Sequence, residues 1–129
     1  MNQKILITGA LFGILSVALG AFGAHGLKAV LSPDQLTTFE TGVRYQMYHA
    51  ILLLFVGGTN ILEAKTKKTI FILILVGIIF FSGSIYGLAT NEMSAFNFKT
   101  IALITPVGGS ALIAAWVVML VGFIKKSQV

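Results

Sequence analysis

Four unbroken apolar runs, each long enough to cross a bilayer, fill about two thirds of this 129-residue chain. They cover about residues 5–24, 45–62, 69–89 and 100–124. At about 1.5 Å of helical rise per residue, the run from Ile5 to Ala24 spans roughly 30 Å, the thickness of a hydrocarbon layer. The runs are continuous rather than alternating, and too long for barrel strands of about ten residues. The expected fold is therefore all-α and integral to the membrane. It has four transmembrane helices in an antiparallel bundle, forming a single domain over residues 1–129.

Composition agrees. The chain is 57% hydrophobic and 10% charged, with a mean hydropathy of +0.95. A soluble domain carries roughly 25% charged residues, so a surface this poor in charge requires lipid as its solvent. The net charge of +5 comes from cations set singly or in short groups at the ends of the apolar runs. There they anchor helices at headgroups and set orientation; no nucleic-acid partner is expected. The absence of cysteine rules out disulfides, thiolate metal sites and cysteine nucleophiles. The first run resembles a secretory leader, with Lys4 ahead of it and Gly20, Ala21, Gly23 and Ala24 at its end. It exceeds a leader's apolar core of about 7–15 residues, so it is expected to stay as a span.

The segment between the first two runs carries a helix start. Ser32 can cap, Pro33 suits the first position, Asp34 meets the positive end of the helix dipole and Gln35 completes a capping box. Leu36, Phe39 and Val43 then fall on one apolar stripe, with Thr37, Thr38, Glu40, Thr41 and Arg44 elsewhere. This amphipathic extension is expected to run into the second span. It should protrude from the membrane or lie along its surface, bending at Gly42. Pro106 is expected to bend the fourth span.

Four spans put Lys4, Lys65, Lys67, Lys68, Lys125 and Lys126 on one side and Lys28, Arg44 and Lys99 on the other. That bias places both termini in the cytoplasm of a bacterial inner membrane. Small residues line the first span (Gly9, Gly13, Ser16, Gly20, Gly23) and the fourth (Gly108, Gly109, Ala111, Ala114, Ala115). Such ridges let backbones approach, either within the bundle or against a membrane-protein partner or a second copy.

The candidate site is a polar cluster expected at the outer face: His25, Lys28, Glu40, Arg44, Tyr45, Tyr48, His49 and Tyr86. Glu40 and Arg44, Arg44 and Tyr48, and Tyr45 and His49 are each four apart, so each pair shares a helix face. His49 is expected about one turn below the interface, at about 6–7 Å depth. An ionisable group there is a functional hypothesis by default. The bland reading is a hydrogen-bonded clasp of His25, Glu40, Arg44 and His49 across the first two spans. Haem or zinc at His25 and His49 is the sharper reading, but ligand-rich spacing is absent and no cofactor is expected. Conduction lacks polar groups through the full thickness, and no recognisable catalytic constellation is present. Trp116 sits deep in the fourth span, where its indole N–H needs an acceptor.

The stretches Gly20-Ala21-Phe22-Gly23-Ala24-His25-Gly26-Leu27, Phe39-Glu40-Thr41-Gly42-Val43-Arg44-Tyr45-Gln46 and His49-Ala50 resemble the signature of domain of unknown function 423. Human transmembrane protein 256 is similar to that family. The resemblance implies a small four-span protein of the bacterial inner membrane and carries no activity, substrate or cofactor. The leading expectation is a non-enzymatic accessory or scaffolding subunit. The alternatives are a lipid-, quinone- or haem-binding protein and a small transporter or channel.

Overall fold

The computed structural model describes residues 2–89 and 104–127. Four helices follow one another: α1 (Asn2–His25), α2 (Pro33–Gly58), α3 (Ala64–Ala89) and α4 (Ile104–Ser127), with a 3-10 turn at Leu27–Ala29 after α1. Neighbours in sequence are neighbours in space. Helix α1 packs along α2, α2 along α3 and α3 along α4, in an antiparallel series. Lys99 and the expected start of the fourth span at Thr100 lie outside the described residues. Within them, Pro106 occupies the first turn of α4, where a missing N–H costs little. Asn2–Ala29, Ala64–Ala89 and Ile104–Lys126 are long and apolar enough to cross a membrane. Helix α2 is less apolar, with Asp34, Glu40 and Arg44 in its first half and Gln46 and His49 further along.

The start of α2 follows its sequence signals. Gln35 N–H donates to Ser32 Oγ (3.2 Å) and Ser32 N–H to Gln35 Oε1 (2.9 Å), a reciprocal capping box with Pro33 in the first turn. Helix α2 then runs unbroken through Gly42. A Cβ there would lie 2.6 Å from Tyr86 Cε1 and 3.0 Å from Ile85 Cγ2, so glycine lets α3 close onto α2. The helix stops at Gly58 rather than Leu62, and Thr59 caps it. Buried Lys67 donates to the Thr59 carbonyl and to Asn2 Oδ1, placing a cation at the negative end of α2. Sequence had assigned this lysine to headgroup anchoring.

Glycine contacts fix the register. Gly9 faces Ala50 and Leu53, Gly20 faces Val43, and Gly23 faces Phe39. Helix α2 is therefore paired with α1 over its whole length, and its amphipathic first half stands upright beside the end of α1. The stripe expected at Leu36, Phe39 and Val43 provides that packing, with Leu27, Leu31 and Ala89 completing a small core. A larger core joins all four helices through Ile5, Leu53, Val56, Ile70, Ile74, Leu112 and Ala115.

Candidate functional site

Depth follows from register. A hydrocarbon layer of about 30 Å centred on the apolar runs of α1 and α3 has its midplane near Ile14 and Ile79. The contacts Gln46–Phe12, Val43–Gly20 and Tyr45–Phe81 carry that level onto α2 near Met47 and Tyr48. A layer so centred puts His49 near its middle, deeper than the one turn expected from sequence. Arg44 is roughly 5 Å and Glu40 about 11 Å from the midplane at 1.5 Å per residue. The physical reason is the upright packing of α2: the small residues of α1 accept Phe39 and Val43, so the polar turns are drawn alongside the bundle.

The eight residues separate into three places. His25 and Lys28 are exposed at the end of the bundle opposite the termini. Glu40, Arg44, Tyr45 and Tyr48 are exposed on α2. His49 is buried at 4% exposure and Tyr86 is partly buried. By the helix register, His25 stands about 18 Å along the bundle axis from His49, too far for one metal ion or haem iron to take both. Nor does the four-residue clasp assemble around them: Arg44 donates to Thr41 Oγ1 on its own helix (3.3 Å).

His49 has a different partner. Trp116 Nε1–H of α4 donates to His49 Nε2 at 3.1 Å, supplying the acceptor that the indole required. Nε2 then holds a lone pair, so the ring proton sits on Nδ1 and is donated to the Tyr45 carbonyl at 2.7 Å. Both ring nitrogens are spent in this neutral tautomer, which leaves no lone pair for a metal. Among the described residues, no group of three or more His, Cys, Asp or Glu side chains is placed to hold a metal ion.

A second interior link was missed from sequence. Gln46, buried at 4% exposure, donates through Nε2 to the Phe12 carbonyl of α1 (3.0 Å). Its Oε1 accepts from Tyr86 O–H of α3 (2.7 Å). One amide therefore ties three helices together. The available signal was a strongly polar residue four positions after Gly42, hence on the same face. Ser82 Oγ donates to the Gly42 carbonyl (2.9 Å), adding a bond between α2 and α3. Among the described residues no buried side-chain polar atom lacks a hydrogen-bond partner.

Beside His49 and Trp116 a cleft of about 290 Å³ lies among α2, α3 and α4, lined by Tyr45, Phe81, Leu112 and Ile113. Tyr45 stacks edgewise on Phe81 and on Tyr48, with ring centroids 5.1 and 5.7 Å apart. The cleft is mostly apolar and lies at membrane depth.

Fold and site together define a small multi-pass helical membrane protein whose interior polar groups cross-link its helices. The chain belongs to the DUF423 family of proteins of unknown function, whose model matches residues 19–109. It is 38% identical over 125 residues to the UPF0382 membrane protein YwdK of Bacillus subtilis, covering 95% of this chain and 98% of that one. It is 34% identical over 130 residues to the UPF0382 inner membrane protein YgdD of Escherichia coli, covering 98% and 94%. A UPF0382 membrane protein of Staphylococcus haemolyticus is 37% identical over 126 residues, covering 95% and 97%. No solved structure matches.

Proposed function

We propose that this protein is a non-enzymatic accessory or scaffolding subunit of a membrane complex or homo-oligomer. Its site is the bacterial inner membrane, with both termini in the cytoplasm. The observation that supports this reading is the outward face of α2. Glu40, Arg44 and Tyr48 are exposed there, within the depth of the hydrocarbon layer. A charged side chain at the centre of a membrane helix costs about 2.5–3.5 kcal/mol on insertion scales. Arg44 bends toward the nearer interface to reach Thr41, which relieves only part of that cost. A protein neighbour can supply fixed acceptors and an opposite charge; acyl chains cannot.

The interior supports the same reading. Gln46, Tyr86, Ser82, His49 and Trp116 are occupied in bonding one helix to another or to their own backbone. Their chemistry serves assembly. The cytoplasmic placement of the termini rests on the six lysines at that end. Purification in mild detergent, followed by sizing in lipid nanodiscs, tests the proposal. A particle larger than one copy, or a stoichiometric partner, is expected. A lone monomer in both settings contradicts it.

The cleft beside His49 favours a second reading, a lipid- or quinone-binding protein. A defined small-molecule adduct on the intact protein, lost in an Ile113→Trp variant that crowds the cleft from its exposed rim, would promote it.

A further inference from the structure

We infer that the outward face of α2 is a homodimer seam, on which a second copy of this chain is the partner. The inference rests on the accessory or oligomeric reading above and names the occupant. The spacing is the first argument. Thr37, Thr41, Arg44, Tyr48, Ile51 and Phe55 follow one another at intervals of four and three residues along α2. That is the repeat of a helix seam that packs against another helix with a left-handed supercoil. Tyr48, Ile51 and Phe55 are 53%, 58% and 45% exposed; Phe55, at the far end of the stripe, meets Phe123 of α4 edge-on with ring centroids 6.3 Å apart. The stripe is not an apolar lipid-facing surface, because its first half carries hydroxyls and an arginine. The hydroxyls of Thr37 and Thr41 donate to carbonyls one turn back, which leaves a smooth surface for close approach.

Charge is the second argument, and it selects the partner. Glu40 flanks the seam one turn before Arg44. Copies inserted with one orientation pair about a two-fold axis along the membrane normal, so their α2 helices run parallel. Arg44 of one copy then lies within about 6 Å, one turn, of the level of Glu40 on the other. The exchange is reciprocal, and two charges of each sign meet. Glu40 also occupies the flanking position that meets Tyr45 of the second copy five residues further on, where a phenol can donate to the carboxylate. The surface is thus self-complementary, as a two-fold interface must be.

The chain contains no cysteine, so single introduced thiols report without background. Tyr48→Cys is placed on the seam; Ile14→Cys on α1 and Ile113→Cys on α4 are controls, exposed at 64% and 67%. The full-length protein in its own membranes is oxidised and its adducts are weighed. The expected result is a disulfide-linked homodimer at Tyr48→Cys at a yield about tenfold above either control. Arg44→Glu should lower that yield by about tenfold through like-charge contact, and Glu40→Arg with Arg44→Glu should restore it. If Arg44→Glu fails to accumulate, the exchanged double variant alone must cross-link. A homodimer at the controls and not at position 48, or an exchanged variant that accumulates without cross-linking, overturns the proposal. An adduct of position 48 with a different protein overturns the second copy but leaves the accessory-subunit reading standing. No protein adduct at any position, with a lone monomer in nanodiscs, overturns both.

Discussion

On its inward side α2 presents Gln46 and His49, and each side chain ends in named partners: Phe12 and Tyr86 for the amide, Tyr45 and Trp116 for the imidazole. On its outward side the same helix, at the same depth, carries Arg44 and Tyr48, which no other helix among the described residues buries. Both sides break the rule that a lipid-exposed span is apolar. The inward side satisfies its polar groups within one chain. Among the described residues, the outward side offers Arg44 only the Thr41 hydroxyl of its own helix. Depth alone therefore does not decide what a polar residue does; the helix opposite it does.

The sharpest way to break the comparison is to unseat the interior. A Cβ at Gly108 would stand 2.3 Å from the Phe81 backbone nitrogen, so α3 and α4 cannot stay at this spacing with a side chain there. Gly108→Leu should cost about 3 kcal/mol or more as overpacking and abolish extractable folded protein, read by size-exclusion after detergent extraction. Gln46→Leu removes one link among three helices and should cost about 1–2 kcal/mol, measured as a lowered unfolding midpoint in detergent.

His49→Leu should cost less, roughly 0.6 kcal/mol. It should still shift the emission of Trp116, the chain's single tryptophan, to shorter wavelength as the indole loses its acceptor. An unchanged spectrum would show that the His49–Trp116 bond is not formed. Smallest of all is the effect expected from Arg44→Leu on the fold of one copy, within about 0.5 kcal/mol. Helical content and melting of the monomer in harsh detergent check this. A large loss there would mean that Arg44 belongs to the interior set and would erase the contrast between the two faces.

The apolar runs made α1, α3 and α4 legible, because a continuous run of that length has few other fates. Ser32, Pro33 and Gln35 made the start of α2 legible, because capping is local chemistry. The apolar stripe of Leu36, Phe39 and Val43 was legible too, but its destination was not. Nothing local says that Gly20 and Gly23 of α1 will receive it, and on that contact hangs the depth of every polar residue of α2. The need of Trp116 for an acceptor could be read from the residue itself. That the acceptor is His49, 67 positions away, is a product of packing. Gln46 went unnoticed for the same reason, since an amide announces a site only once its two neighbours are known. His25 and His49 looked like a pair because the apolar run was taken to start at Tyr45. With the helix beginning at Pro33 they stand more than three turns apart.

Oxygen accessibility of a spin label tests the central claim most directly, because oxygen concentrates among acyl chains. Labels at Tyr48→Cys and Ile113→Cys are compared in bilayers of native lipid, two positions of similar exposure in the single chain, 53% and 67%. A covered α2 face gives several-fold lower accessibility at position 48 than at position 113. Equal accessibility at the two positions would mean that lipid covers both, and would contradict the account.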